Sequence, residues 1–337
     1  MSGDIRLPYG DQLETILDLE SNVELEDLLA LTLMDPLRDF FSRPKKGIRG
    51  EMVALGFSLA RGHGKHPLHE SYCAKLAEVL ELLHAGSLVV DDIQDGSLVR
   101  RGARSMHELY GVPVALNAGN WLYFWPLRKI DELDLTAEVR LRLYQECHAT
   151  LLRAHFGQAI DVGAPVTSME QERIPFVCMA TLQLKTGALM SLAMKLGAIL
   201  GGATTEELRA IDRFGHQFGV ALQMFDDIGN LVSNKNPDKR FEDLKNARPG
   251  FVWSVAAEMM TKEEFSLFCS LVPRLPETER DVVGLLNEVR VIERARAKAN
   301  IYLEVALKKL DSPPLSPDEA TIARLRTLQQ ELTTAYE

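Results

Sequence analysis

Cysteine is scarce in this 337-residue chain, and the four present (Cys73, Cys147, Cys178, Cys269) show neither a CxxC pair nor metal-ligand spacing. That excludes a disulfide scaffold or a cysteine-bound zinc module, and it fits plain core thiols in a reducing compartment. Aromatic residues make up only 7% of the chain, and its 38 basic and 48 acidic side chains, net −10, form no basic run or tail. A nucleic-acid partner is therefore not expected. Long hydrophobic runs are also missing: the most apolar stretch, 189–202, is too short to span a bilayer and contains Lys195. The opening Met1-Ser2-Gly3-Asp4 lacks the basic-then-apolar order of a secretory signal, so the expected location is the cytoplasm with no transmembrane segment. No alternating strand pattern, Asn-Gly or Asp-Gly hairpin turn, or Pro/Gly-rich linker is visible.

What the chain does have is helical periodicity. Apolar positions recur at three and four residues over 11–41, as in Leu13, Ile16 and Leu17, then Leu25, Leu28, Leu29 and Leu33. A turn is expected at 42–47 and a loop at 61–67, with helices over about 50–60 and 71–90. Further helices are expected near 114–130 (kinked at Pro126), 136–161, 170–201, 205–228, 251–259, 262–272, 276–310 and 318–336. Residues 233–250 read as a long polar loop. The expectation is one all-α domain over residues 1–337, a helical bundle whose ligand site is built from facing helices.

Two acidic clusters follow apolar helical segments: Asp91-Asp92-Ile93-Gln94-Asp95, and Asp226-Asp227-Ile228-Gly229-Asn230. At helical spacing Asp91 and Asp95 crowd one end of one face, and Asp226 and Asn230 repeat that spacing. Crowded carboxylates are costly unless cations hold them. Oxygen-rich sites of this kind suit magnesium shared with a phosphorylated ligand. Paired Arg100 and Arg101 follow the first cluster, and guanidinium forks match phosphate oxygens. Lys46 and Arg49 stand at a helix start, where backbone N–H groups also favour an anion. His84 lies two turns before Asp91. Lys185-Thr186 interrupts the apolar run "LQLKTGALMSLAM", where a lysine needs a partner, and Gln223 lies one turn before Asp226. Together these describe one metal-bridged anion site, one metal-free anion site and apolar helix walls suited to hydrocarbon.

The segments "KKGIRG", "LHAGSLVVDDIQDGSLVRRG", "YGVPVALNAGNWLYF", "HFGQAID", "LQLKTGALM" and "FGVALQMFDDIGN", in this order, resemble the trans-prenyl diphosphate synthases. The likeness is strongest to short-chain geranylgeranyl diphosphate synthases. It implies the isoprenoid-synthase helical fold with a central active-site cavity, three magnesium ions and a homodimer. It implies that Asp91, Asp92, Asp95, Asp226 and Asp227 ligate magnesium on an allylic diphosphate. Arg100, Lys185 and Lys239 would contact that diphosphate. Lys46, Arg49, His84 and Arg101 would hold isopentenyl diphosphate. The carbonyl of Thr186 and the side chain of Gln223 would face the developing carbocation.

The implied reaction is ionisation of the allylic diphosphate in an apolar, water-poor cavity, followed by attack of the isopentenyl double bond. Some positions depart from the wider family: Asn230 replaces an aspartate, Gly47 an arginine, Arg248 a lysine, and Leu222 an aromatic. The geranylgeranyl subgroup shares the first two. Family members that stop early often carry an aromatic five places before the first aspartate. Gly86, followed by Ser87, stands there, so the tunnel is expected to stay open past fifteen carbons, with Leu83 and Val79 as candidate floors. The alternatives are a class I terpene cyclase, whose second motif would need a hydroxyl at Asn230 and a glutamate at Asn234, and a non-catalytic regulatory subunit of a synthase.

Overall fold

A computed structural model describes residues 7–8, 11–20, 22–44, 47–60, 67–232, 240–311, 314–315 and 317–334. The chain is helical nearly throughout, in the order α1 (Asp11–Leu17), α2 (Val23–Leu29), α3 (Asp35–Ser42), α4 (Ile48–Leu59), α5 (Pro67–Asp95), β1 (Val99–Arg100), β2 (Ala103–Arg104), α6 (Met106–Tyr110), α7 (Val112–Trp121) and α8 (Arg128–Asp131). It continues with α9 (Ala137–Gly163), α10 (Ile174–Leu182), α11 (Ala188–Leu200), α12 (Thr205–Val232), α13 (Glu242–Lys245), α14 (Phe251–Met259), α15 (Lys262–Leu271), α16 (Glu279–Glu288), α17 (Val291–Lys308) and α18 (Glu319–Thr334). Two compact units form: residues 1–50 with 75–134, and residues 51–74 with 135–337.

In the first unit, Leu37 and Phe40 of α3, Leu82, Ala85 and Val89 of α5, and Ala115, Ala118 and Leu122 in and after α7 share one apolar core. Burying each such leucine or phenylalanine contributes about 1.5–3 kcal/mol. Helix α5 approaches α7 through Gly86 and Gly119: a Cβ on Gly86 would lie 2.8 Å from the Gly119 carbonyl oxygen and 2.9 Å from Leu122 Cβ. The position is therefore filled by backbone, and the expectation that its missing side chain leaves open tunnel volume does not hold. Gly96, at φ +66°, ends α5 directly after Asp95, as the Asp95-Gly96-Ser97 sequence leads one to expect.

In the second unit, α11 is the central rod, buried at nearly every residue against α9 and α12. Gly56 of α4 and Gly197 of α11 let those helices touch backbone to backbone, since a Cβ at either would collide with a carbonyl of the other helix. Lys195 is buried in this core and held by Glu146 at 2.5 Å and Asp212 at 3.5 Å. The helix expected over 170–201 forms as the α10–α11 run, a π turn at Gln183–Gly187 joining its halves. Residues 171–200 are thus apolar and long enough to cross a membrane by length and composition. Half of that apolar window is buried, mainly in α11, and both lysines of the run have carboxylate partners.

Other differences from expectation have local causes. The helix expected over 114–130 ends at Trp121, and a 3₁₀ turn with Pro126 at its start follows. The helix expected over 276–310 divides where Arg290 adopts φ +61°. The β1–β2 ribbon pairs Val99 with Arg104 and Arg100 with Ala103. At two residues per strand it is too short to show an alternating pattern.

Candidate active site

Asp91, Asp92 and Asp95 occupy the last turns of α5, so their carboxylates face the negative end of that helix's dipole. Cations must answer them. The Arg100 Nε donates to Asp92 Oδ1 at 2.7 Å, and its Nη2 lies 4.0 Å from Asp91 Oδ2. Asp92 is 1% exposed at its side chain against 27% for Asp91, so one aspartate of the pair points inward and the other outward. Tyr123 stands close enough that burial, with Asp91 adding to it, pushes its phenol up to about 12.

The chain then turns sharply. Arg101 takes φ +55° and Gly102 φ +77°, so Arg101 leaves on a different course from Arg100. The Arg101 guanidinium lies over the Phe40 ring at 5.0 Å. Burial first, opposed by Glu81 and reinforced by Arg100 and Arg43, brings its proton affinity below the arginine norm. His84, expected here as an anion ligand, is held well below the usual imidazole range by burial and then by Arg49, Arg101 and Arg100. Burial and the surrounding guanidinium groups thus favour the uncharged form of this ring. Ser87 donates to the His84 carbonyl at 2.8 Å, and Leu83 is buried. The structure therefore brings Arg49, His84, Arg100 and Arg101 into one electrostatic neighbourhood. Lys46, Lys239 and Asn234 lie outside the described residues.

In the second unit a chain of hydrogen bonds runs through the predicted residues. Thr186 Oγ1 donates to Gln223 Oε1 at 2.7 Å, and Gln223 Nε2 donates to Asp227 Oδ1 at 2.8 Å. The Phe251 backbone N–H, in the first turn of α14, donates to Asp227 Oδ2 at 2.6 Å. Gly250 leaves room for this approach, since a Cβ there would sit 3.1 Å from the same oxygen. Asp227 retains some accessible surface as a residue, yet its carboxylate is desolvated. Burial pushes it up to about 7, against the lowering effect of its two donors, with Asp226 and Asp161 adding to the rise. The π turn that contains Lys185 and Thr186 widens the helix at the site, as such turns commonly do. Lys185 Nζ bonds Asp161 Oδ2 at 2.7 Å, and Arg248 Nη1 donates to the Asp161 carbonyl at 3.1 Å. Asp161 is the partner that Lys185 needed. The motif "HFGQAID" alone gives Asp161 no role, and the sequence marks Arg43 only as part of a turn.

The donor set is all oxygen and suits a hard cation. Among the described residues no three His, Cys, Asp or Glu side chains converge on one point. A magnesium ion would therefore draw part of its shell from substrate phosphate and water, its usual habit in phosphate-handling sites. On these grounds the residues fit the ion.

The model of the polyprenyl synthetase family matches residues 31–289. A geranylgeranyl pyrophosphate synthase of Penicillium janthinellum is 31% identical over 253 residues, covering 74% of this chain and 63% of that protein. A short chain isoprenyl diphosphate synthase of Methanothermobacter thermautotrophicus is 32% identical over 217 residues, 63% of this chain and 62% of its own length. The chain thus spans about three fifths of these relatives. The structure of a geranylgeranyl pyrophosphate synthase from Corynebacterium glutamicum, complexed with isoprenyl diphosphate and magnesium, superposes with a TM-score of 0.77 at 21% identity, covering 96% and 94% of the two chains. That of a geranylgeranyl pyrophosphate synthetase from Pyrococcus horikoshii gives 0.75 at 22%, covering 91% and 94%. At these identities the likeness speaks to the fold, which is the all-α fold of the isoprenoid synthases.

Proposed function

The chain belongs to the polyprenyl synthetase family, and we propose that it condenses isopentenyl diphosphate head to tail with dimethylallyl, geranyl or farnesyl diphosphate to give geranylgeranyl diphosphate. The observation that carries this reading is the contrast across the Arg100-Arg101 turn. Arg100 faces the acidic end of α5, whereas Arg101 shares its surroundings with Arg49 and His84. A diphosphate accompanied by cations suits the first environment, and a bare diphosphate suits the second.

Asp91, Asp95 and Asp226 are the proposed magnesium ligands, with three ions bound as the resemblance implies. When bound, magnesium supplies Lewis-acid stabilisation of the departing diphosphate. Arg100 and Lys185, now held by Asp92 and Asp161, carry the positive charge that would orient the allylic diphosphate. Gln223, fixed at both ends by Thr186 and Asp227, presents its amide in one orientation to the developing positive charge. Asp227 has both oxygens engaged, so we place it as a support for Gln223 in preference to the metal role expected of it. The proposal includes a homodimer in the cytoplasm, to be checked by light scattering and by imaging of a tagged chain.

Purified protein with magnesium, labelled isopentenyl diphosphate and each allylic primer should yield geranylgeranyl diphosphate by mass spectrometry. No product with any primer would overturn the reading. A hydrocarbon from geranylgeranyl diphosphate alone would make the protein a cyclase. Activity seen only on adding a second synthase would make it a regulatory subunit.

A further inference from the structure

Arg43 is buried, 6% exposed, where α3 has just ended, and nothing in the proposed chemistry uses it. Its two arms are committed in different directions. Nη2 bonds Asp39 Oδ2 at 2.6 Å, one turn back on α3. Nη1 donates to the backbone carbonyl of Arg100 at 3.2 Å, across 57 residues of sequence. The Phe40 ring lies under both Arg43, at 5.5 Å, and Arg101, at 5.0 Å. The clamped carbonyl belongs to the residue immediately before the positive-φ turn at Arg101 and Gly102. A non-glycine residue held at positive φ persists only where its surroundings over-determine it. Here the β1–β2 pairing, the Phe40 face and the Arg43 bridge do so.

We propose that Arg43 is a positioning residue that keeps Arg100 and Arg101 on their separate courses, and thereby sets Arg101 for the isopentenyl diphosphate. The inference rests on the reading of Arg101 given above. Arg100 has its own anchor in Asp92, so the effect of losing Arg43 falls mainly on Arg101. The planar guanidinium reaches two separate acceptors with two different nitrogens, whereas lysine would offer one compact charge at the end of its stem.

The test is calorimetric binding of isopentenyl diphosphate, without metal, to wild type, Arg101→Met, Arg43→Met, Arg43→Lys and Asp39→Asn, alongside steady-state kinetics in each substrate. Asp39 is half exposed, so its variant is the mild one if Arg43→Met fails to fold. Arg43→Met and Arg43→Lys should each weaken isopentenyl diphosphate by about tenfold or more, the scale of one lost charge-assisted hydrogen bond. Asp39→Asn should weaken it less, in the same direction. KM for isopentenyl diphosphate should rise more than KM for the allylic partner, with circular dichroism unchanged. Full binding by Arg43→Lys would overturn the positioning role, because charge alone would then suffice. So would equal rises in both KM values, or loss in Arg101→Met but not in Arg43→Met or Asp39→Asn. If wild type itself failed to bind isopentenyl diphosphate, the functional reading would fall first and the inference with it.

Discussion

Replacing Asp227 with asparagine should make the protein more stable and less active, with the gain in stability dependent on pH. In the folded chain burial pushes this carboxyl from an ordinary 3.8 to about 7. The folded form therefore holds a proton that the unfolded chain gives up between about pH 4 and pH 7. Stability must fall as pH rises through that window and level off above it. The full displacement corresponds to about 4 kcal/mol at 1.36 kcal/mol per pKa unit. Partial access to water makes that figure a ceiling, so roughly 2–4 kcal/mol is expected. Asparagine removes the charge and keeps the shape. Its oxygen can accept the Phe251 N–H, and its amide can donate to Gln223 once the Gln223 amide turns over, with Thr186 then accepting. That reversal presents the wrong face of Gln223 to substrate, so turnover should drop while the melting curve moves up. Urea unfolding at pH 5 and pH 8, with a chelator present, measures the difference directly. An advantage for Asp227→Asn that is already present at pH 5 and larger at pH 8, by up to about 3 kcal/mol, is the expected result. Parallel stability curves across that range would refute the desolvation argument.

Asp91→Ala should abolish condensation in a folded protein. Asp92→Ala should abolish it and also destabilise, because Arg100 loses its buried partner; near-normal product formation in either would contradict the acidic site. Gly197→Ala should lower stability by about 1–3 kcal/mol or more through collision with the Val53 carbonyl. Gly163→Ala, which meets open space, should be nearly neutral in the same thermal melt. An aromatic at Gly86, as in family members that stop early, would by the resemblance shorten the product. With the Gly119 carbonyl 2.8 Å from its Cβ position, it should first reduce folded yield, and Gly86→Ala should already lower the melting temperature.

Much of this was legible before any coordinates. Apolar spacing placed the long helices, because α5, α9 and α12 each bury a continuous stripe and carry ordinary end signals such as Thr136 before α9. The site residues were legible as types: clustered aspartates, an arginine pair and a lysine in an apolar run. Their partners were not. Nothing in a one-dimensional string says that Asp161 answers Lys185 across 24 residues, or that the Phe251 N–H answers Asp227 across another 24. Gly86 shows the same limit from the other side. A glycine reads as free space in sequence, but whether that space is empty or filled by a neighbouring helix depends on packing. The ribbon at Val99–Arg104 escaped because its signal is a turn with two positive-φ residues, one of them an arginine, which the usual glycine cue does not announce.

The two acidic motifs share a constraint that follows from helix geometry. Adjacent residues on an α-helix diverge by about 100°, so a doubled aspartate cannot aim both carboxylates at one point. In α5 the second aspartate turns inward and is held by Arg100. In α12 the second aspartate is held by Gln223 and the Phe251 N–H. In each case the first aspartate remains partly exposed, and its one-turn neighbour, Asp95 or Asn230, shares its face. On the proposed function each motif would divide its labour: one carboxylate is held by the protein's own donors, and a pair at four-residue spacing would meet the ligand. Placing these groups near helix C-termini costs stability, since the dipole there disfavours negative charge by about 0.3–1 kcal/mol apiece. A chain under pressure only to fold would put lysine at such positions. Carboxylates there make sense where a bound cation reverses the sign of the local field. On that argument the residues of each such pair should tolerate exchange among oxygen donors, as Asn230 already illustrates, whereas Asp92 should not, because its partner is a fixed guanidinium inside the protein.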